Sequence, residues 1–394
     1  MHTSLLRLTR LTIAALAAGA ALGARADAVT DWNLKTADLV TEARIGTPPA
    51  VRLTAIVQTA AYRAARAAQA ASAEAAIAAA HRAVLTRLLP AQQAAIDAAY
   101  HAALAPLADG PAKTTGIELG QRAAAEVLAQ RLDDGATTPE AYRPHTSAGV
   151  YVPTAAVAVP QWSQRKPWAM ASGAQFRPGP PPALTSEGWL RDFNEVKSLG
   201  AKTAPRSAEQ TEVARFWEYS LPSIYHGVLR SVALSSGRDL VRNARLFALA
   251  AQAMDDAMIS VFDAKYHYNH WRPVTAIRNA DLDGHDGTQR DASWAPLVDA
   301  PMHPEYPSGH SILAGAVGAV LKADLGTQAM PRLSTSSPSA KGATRHWSSV
   351  DAFVREVSDA RVLAGIHFRS AVDAGAVMGA RIGERVVQQE QAEH

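Results

Sequence analysis

The feature that most constrains the fold is an alanine-rich segment from Pro48 to about Leu132. Alanine is interspersed there with Leu, Ile, Gln, Glu and Arg, all of which favour helix over strand. Leu89-Pro90 interrupts the run, and a proline is tolerated in the first turn of a new helix. The segment therefore predicts three or more helices.

Helical patterning also dominates the rest of the chain. It returns at about Ser207, and apolar spacing predicts a longer helix from about Arg238 to Lys265. A further helix is expected to begin near His310, and the last one to run from about Ser349 into the Arg361 region. Because no segment shows the sustained alternation of a strand, the predicted fold class is all-α.

A proline-rich segment, residues 135–184, separates the two helical regions. It has little periodicity of either kind, but it carries several large aromatic residues: Tyr151, Trp162, Trp168 and Phe176. A flexible linker has no use for so much aromatic surface, which favours an ordered segment wrapped over a helical core. We therefore expect one catalytic domain over residues 27–394.

Composition excludes several classes of protein. A chain of 394 residues can bury a large core, and the absence of cysteine rules out disulfides and Cys-ligated zinc or iron–sulfur sites. The formal charge of +3 comes without a long basic run, so nucleic-acid binding is not expected.

The N-terminus has the pattern of an export signal. Arg7 and Arg10 precede an apolar run from Leu11 to Gly23, and small residues follow it, which predicts cleavage after Ala26 or Ala28. We take residues 1–26 as the signal peptide. That run is too short to span a bilayer and no later stretch is long enough, so a soluble periplasmic or secreted protein without a membrane span is expected.

Three short motifs carry the chemistry. The first is Lys265 with Arg272-Pro273, in which seven residues would place both cations on one face if the helix continued to Pro273. A lysine and a planar guanidinium together suit an oxyanion, because one supplies a mobile charge and the other a rigid pair of donors. Basic residues at a helix end are also commonly just solvated.

The second motif is Pro307-Ser308-Gly309-His310, which precedes an apolar helix. Ser308 or Gly309 can cap this helix, so that its first backbone N–H groups point towards an anion. Glycine allows a close approach of the backbone, and the serine hydroxyl is a further donor. The alternative is an ordinary helix cap with a surface histidine.

The third motif is Arg361 with His367. Six residues correspond to about 240° on a helix, so the two side chains would share a face only if the chain bends, and Gly365 marks a place for the bend. His367 is a candidate for a direct bond to the central atom of an oxyanion. Its alternative is a core histidine satisfied by a hydrogen bond.

In this order the motifs resemble the signature shared by the type-2 phosphatidic acid phosphatase superfamily and the vanadium-dependent haloperoxidases: K-x6-R-P, then P-S-G-H, then R-x5-H. The motifs cover residues 265–373, and the whole chain is more loosely similar to bacterial, soluble haloperoxidase homologues. The resemblance implies an α-helical fold built around two four-helix bundles.

It also implies a role for each motif residue. His367 would be the axial ligand of vanadate or the nucleophile of a phosphatase, and His310 the acid–base residue. The residues expected to hold the oxyanion are Lys265, Arg272, Ser308, Gly309 and Arg361, and phosphate could occupy the same site. Such a site needs charge-assisted donors because the oxyanion is negatively charged.

Two positions depart from the family pattern. Ser commonly precedes the motif arginine and Asp commonly follows the motif histidine by four residues, whereas this chain has Ala360 and Ala371. Asp373 comes two residues too late. Because that Asp would orient a nucleophilic histidine, its absence weakens the phosphatase alternative more than the peroxidase one.

The leading hypothesis is thus a haloperoxidase that uses hydrogen peroxide to oxidise a halide to hypohalous acid, with a small organic acceptor. His303 lies seven residues before His310, where bromide-oxidising relatives also tend to have histidine, so bromide is favoured. The alternative is an exported acid phosphatase with a phosphohistidine intermediate at His367. The oligomeric state is open, with a homo-oligomer among the alternatives.

Overall fold

The computed structural model describes residues 27–235 and 237–393, so the predicted signal peptide, residues 1–26, lies outside the described part. Thirteen α-helices and one β-hairpin occur within that part, with these bounds: α1 Ala28–Glu42, α2 Thr47–Ala67, α3 Ala73–Leu88, α4 Gln93–Leu104, α5 Pro111–Arg131, α6 Glu187–Leu199, α7 Ala208–Phe216, α8 Ser223–Ala233, α9 Leu240–Tyr268, α10 Pro273–Arg278, α11 Gly309–Leu325, α12 Val350–Leu363, α13 Arg369–Ala392, β1 Leu333–Ser337 and β2 Ala343–Trp347.

The all-α prediction is confirmed, with the hairpin as a small addition. Strands β1 and β2 pair antiparallel, with Leu333 opposite Trp347. Serine and threonine dominate β1, and these residues are poor helix formers in a segment this short. Of the helices in the described part, none is long and apolar enough to cross a membrane.

The organising element is α9, whose 29 residues are buried along almost their whole length. The side chain of Asp239 caps its start by accepting a hydrogen bond from the backbone N–H of Arg242 at 2.7 Å. Helix α2 packs against α9, as do α11 and α13, while α3 and α5 pack on α2 and α12 packs on α11. Two groups of helices therefore meet along α9.

Lys265 and Arg272 do not lie on one helix, so the condition under which they would share a helix face is not met. Helix α9 ends at Tyr268 because Asn269 takes the left-handed conformation, with φ 48°, which asparagine tolerates better than most residues. Arg272 is the N-cap of α10, and Pro273 begins that helix rather than ending the previous one. The two cations converge through a tight break in the chain, not along one helix face.

Helix α13 has no counterpart among the predicted helices, since the last one was expected to end near Arg361. Three glycines recur along it at intervals of four, Gly375, Gly379 and Gly383. A Cβ at Gly379 would lie 2.0 Å from the carbonyl oxygen of Ile312 on α11. The glycines therefore mark a close helix–helix contact, which holds the start of α11 in place.

The proline-rich segment is tied to α9 by buried charges. The guanidinium of Arg165 donates to Asp255 at 2.6 Å and to Asp134 at 2.8 Å, and all three side chains are fully buried. The backbone N–H groups of Trp168 and Ala169 both donate to Asp256. Burial raises the pKa of Asp256 to about 7 in spite of these two donors.

Candidate functional site

One cavity of about 590 Å³ gathers the three motifs. Six of the eight predicted site residues line it: Lys265, His303, Gly309, His310, Arg361 and His367. The other two lie directly behind it, because Arg272 contacts His367 at 3.3 Å and Ser308 immediately precedes Gly309. All eight residues thus meet at the point where α9, α11 and the loop after α12 converge.

His367 lies just beyond a sharp bend. Gly365 has φ 78°, and a Cβ there would lie 2.3 Å from the carbonyl oxygen of Gly200, so only glycine fits. The Nδ1 atom of His367 lies 2.7 Å from Oε1 of Glu305, which accepts a hydrogen bond when the carboxyl group is ionised. In that state Nδ1 carries the proton, and the lone pair of Nε2 faces Arg272 and the cavity.

His367 is neutral in this arrangement. Burial lowers its pKa well below the usual value, and the nearby positive charges of Arg272 and Lys265 lower it further. A neutral imidazole with a fixed tautomer is the form that can coordinate a metal centre or attack phosphorus.

Glu305 is the functional residue that the sequence analysis missed. It supplies from another segment the carboxylate that the family pattern places four residues after the histidine, where this chain has Ala371. Besides contacting His367, its Oε1 accepts the backbone N–H of Phe368 at 3.0 Å. The sequence feature that could have indicated Glu305 is its position two residues before the Pro307-Ser308-Gly309-His310 motif.

Burial raises the pKa of Glu305 to about 7, although Arg272 and Lys265 oppose the shift. Its second oxygen, Oε2, is buried without a hydrogen-bond partner among the described residues. At neutral pH Glu305 is therefore divided between its ionised and its neutral form. Only in the ionised form do both oxygens act solely as acceptors, and Oε1 then accepts from His367.

Glu305→Gln is expected to weaken oxyanion binding about 10–100-fold, the usual cost of removing a residue that orients a ligand. In the native chain, a protonated Glu305 can donate to Nδ1 and move the imidazole proton to Nε2. Affinity for orthovanadate should therefore fall as the pH drops below about 7, and the glutamine variant should lack this step. Equilibrium titration with orthovanadate across pH measures both effects.

Glu118 on α5 is exposed, so Glu118→Gln is a matched control with native affinity expected at every pH. A Glu305→Gln chain that binds orthovanadate as tightly as the native one, with the same pH dependence, would show that Glu305 does not orient His367.

The ammonium of Lys265 is fully buried and points at main-chain oxygens. Its Nζ donates to the carbonyls of Pro304 and Glu305, each at 2.9 Å, and of Pro307 at 2.6 Å. Burial and the charge of Arg272 lower its pKa well below the usual value. Lys265 thus anchors the segment that carries Glu305 and Ser308, and it adds positive charge beneath the cavity floor.

Arg272 connects the two histidines of the cavity. Its Nη1 donates to the carbonyl of Ile366 at 2.9 Å and approaches Nε2 of His367, while Nη2 lies 2.9 Å from Nδ1 of His303. Nδ1 of His303 also lies 3.1 Å from the carbonyl of Pro304, so it accepts in the contact with Arg272, which only donates, and would donate in the contact with Pro304, which only accepts. Burial lowers the pKa of Arg272 to about 10, so it stays charged at neutral pH.

Ser308 caps α11, as its sequence position predicts. Its Oγ accepts from the hydroxyl of Ser311 at 3.1 Å, and Ser311 accepts in turn from Ser358 at 3.2 Å. Neither bond uses the hydroxyl proton of Ser308 itself, which remains a donor. A Cβ on Gly309 would meet nothing within 4 Å, so the helix N-terminus has open space in front of it.

His310 and Arg361 complete the lining. Nε2 of His310 lies 3.3 Å from the carbonyl of Tyr219, and burial together with the charge of Arg361 lowers the histidine pKa. Arg361 donates through Nη1 to the carbonyl of Trp217, while its Nε is buried without a partner among the described residues. That orphaned donor fits a site built to receive acceptor oxygens.

The donor set suits an oxyanion rather than a bare cation. No cluster of three or more His, Cys, Asp or Glu side chains that could hold a metal ion occurs in residues 27–235 and 237–393. The pocket instead offers cations, a hydroxyl, a helix N-terminus and the imidazoles of His303, His310 and His367. Such donors stabilise a tetrahedral or trigonal oxyanion through charge-assisted hydrogen bonds.

Comparisons with known proteins agree with this chemistry. Residues 245–393 match the family described as the VCPO second helical-bundle domain. Vanadium chloroperoxidase of Curvularia inaequalis is 30% identical over 138 residues, a match that spans 28% of this chain and 22% of that protein.

Solved structures extend the likeness of fold to almost the whole chain. The first bacterial vanadium-dependent iodoperoxidase superposes with a TM-score of 0.78 at 24% identity, over 92% of this chain and 95% of the other. A holo-type bacterial vanadium-dependent chloroperoxidase gives 0.69 at 18% identity, over 88% and 93%. The predicted resemblance to vanadium haloperoxidases is confirmed.

Proposed function

We propose that this chain, whose residues 245–393 match the VCPO second helical-bundle domain, oxidises halide with hydrogen peroxide at a vanadate held by His367. The observation that carries the proposal is the Nε2 lone pair of His367, which is fixed by Glu305 and lies next to Arg272 at the cavity floor. The names of the similar proteins support the choice of vanadate.

Four residues would donate to the vanadate oxygens and orient them: Arg272, Ser308, Gly309 and Arg361. Lys265 would support them through its charge, because its three N–H groups donate to main-chain carbonyls. Bound vanadate supplies a Lewis-acid centre that activates hydrogen peroxide without a change of oxidation state. The chain contributes a pocket of positive charge whose donors are positioned before the reaction begins.

His310 is the residue placed to move a proton. Its low pKa keeps it neutral, and the carbonyl of Tyr219 takes the hydrogen of Nε2. Nδ1 is then free to accept a proton from hydrogen peroxide in the cavity and to return it to the leaving oxygen.

His303 is the proposed residue for bromide preference. It lines the cavity, and its ring stands edge-on to Phe262 at 5.4 Å between centroids. In the tautomer whose Nδ1 accepts from Arg272, its Nε2–H can donate to a halide. His303→Phe removes that donor and the acceptor for Arg272, so bromide kcat/KM should fall by about tenfold, the net value of one charge-assisted hydrogen bond.

Steady-state bromination of a phenolic dye measures this effect. His285 lies in the loop after α10 and is not among the cavity lining, so His285→Phe is the control and should keep the native value. Unchanged bromide kinetics in His303→Phe would remove His303 from the halide site.

A second candidate is an acid phosphatase that forms a phosphohistidine at His367. Glu305 favours it specifically, because this carboxylate provides the orienting group whose absence at Ala371 weakened that alternative. Phosphate and vanadate are both tetrahedral oxyanions, so the same donors serve either one.

Two assays on the purified chain separate the candidates. Orthovanadate with peroxide and bromide should brominate a dye, and omission of vanadate should abolish the reaction. Efficient release of nitrophenol from its phosphate ester, inhibited by vanadate and without vanadate-dependent bromination, would establish the phosphatase instead.

We also propose that the protein is exported to the periplasm or secreted, on the basis of the Arg7 to Gly23 pattern. Detection of a mature N-terminus at or close to Asp27 in the periplasmic fraction of a bacterial host tests this.

A further inference from the structure

The cavity is much larger than its inorganic reactants need. At about 590 Å³ it exceeds by more than tenfold the ~30 Å³ that a water molecule occupies in the liquid, and peroxide and halide are only slightly larger. Its volume falls instead within the roughly 300–1,000 Å³ typical of pockets for organic ligands. The space above the oxyanion site therefore has room for a second, organic molecule.

Most of the remaining lining is apolar. It is contributed by four separate parts of the chain, through Pro48, Val159, Met258, Phe262, Met302 and Leu313. Leu313 follows Gly309 by one helical turn on α11, and Phe262 stands against His303, so the apolar lining is continuous with the polar floor. An apolar wall with a few convergent polar groups is the usual design of a small-molecule site.

Among the described residues, the lining outside the oxyanion floor offers no cation to an anionic guest. The Lys and Arg side chains of the lining are Lys265 and Arg361, both at the floor, whereas Glu218 and Asp299 border the cavity elsewhere and are exposed to solvent. A guest with a large polar surface would lose hydration against the apolar wall.

We infer that this cavity binds a neutral, largely apolar and electron-rich organic molecule, such as an alkylphenol, and that halogenation takes place on this bound acceptor. The inference rests on the proposed haloperoxidase function. Peroxide oxidises bromide by two electrons as its O–O bond breaks and one oxygen leaves as water. The carbon–bromine bond then forms on the ring, and the remaining oxygen leaves as a second water with the ring proton and one proton taken from solvent.

A competition between 4-methylphenol and 4-butylphenol tests the inference. The rings react almost equally with free hypobromite, because both carry an alkyl group at the same position. If the acceptor binds in the cavity, the native chain should favour 4-butylphenol on the order of tenfold, from the burial of three more methylenes. Product ratios are measured by chromatography with both phenols at equal, low concentration, and with reagent hypobromite as reference.

Met302→Gln adds a test at the cavity mouth, with Met330→Gln as its matched control. Both methionines are exposed, at 50% and 40%, but only Met302 is part of the lining. The Met302 variant should lower the preference for 4-butylphenol by at least twofold, and the control should keep it. A product ratio does not depend on how fast bromide is oxidised.

The outcomes distinguish the two proposals. Formation of tribromide from bromide and peroxide, in the absence of any phenol, tests the proposed haloperoxidase function by itself. If tribromide forms but the product ratio equals that of hypobromite, the acceptor site is refuted while the haloperoxidase stands. If no tribromide forms, equilibrium binding of the two phenols to the chain still tests whether the cavity is a binding site for the acceptor. Tighter binding of 4-butylphenol supports the site, and equal binding overturns it.

Discussion

His367→Ala is expected to abolish vanadate-dependent halide oxidation. Loss of the imidazole removes Nε2, the proposed ligand nitrogen, which lies 3.3 Å from Nη1 of Arg272, and it also takes the histidine contact away from the buried Glu305 carboxylate. Loss of an orienting residue costs about 10–100-fold in affinity or activity, so loss of the ligand itself should exceed ~100-fold. Bromination rate and the amount of vanadium retained after gel filtration measure the effect.

His101 on α4 is exposed, so His101→Ala is the matched control and should keep full activity and native vanadium content. Thermal unfolding of both variants shows whether the fold survives. If His367→Ala retains most of the bromination rate, the site assignment fails as a whole, under the phosphatase alternative as well.

Arg165→Met is expected to destabilise the folded chain by about 3–5 kcal/mol, the cost of breaking a buried ion pair by removing one partner. Methionine fills much of the same volume but leaves Asp255 without its cation, and Asp134 with only Arg52. Both carboxylates are fully buried, so solvent cannot replace the lost donor. The free energy of unfolding from urea titration measures the change.

Arg177→Met is the control from the same proline-rich segment. Arg177 pairs with Asp263 at 2.7 Å, but the arginine side chain is 28% exposed, and ion pairs in contact with solvent contribute about 0–1 kcal/mol. Equal effects of the two substitutions would show that burial of the Arg165 network does not govern how this segment is held.

Local signals in the sequence predicted the helices well where side-chain chemistry decides the outcome. Alanine-rich composition gives α2 to α5, and apolar spacing places α9 to within a few residues. Ser308 caps α11 as expected, because a serine hydroxyl satisfies the free N–H groups of a first turn whatever surrounds it. The motif spacing likewise identified eight residues that the fold gathers around one cavity.

Helix ends and helix contacts were harder to predict. Asn269 stops α9 before Arg272, although the spacing of the two cations suggested one continuous helix. The glycines of α13 look like breaks in a helical pattern, yet they serve the close contact with α11. In both cases the conformation depends on what packs against the residue, and its own propensity is a weak guide to that.

The order and spacing of three short motifs predicted a pocket of cations, a helix start and two histidines within an all-helical chain. The contacts that surround this pocket became visible in the folded chain. Glu305, 62 residues before His367, fixes the imidazole tautomer, and side chains from four distant segments enclose the apolar space above it. Sequence patterns indicate which residues are buried and which cap a helix, because these features depend on neighbours within a few turns. A contact between residues so far apart in the chain depends on how whole helices pack.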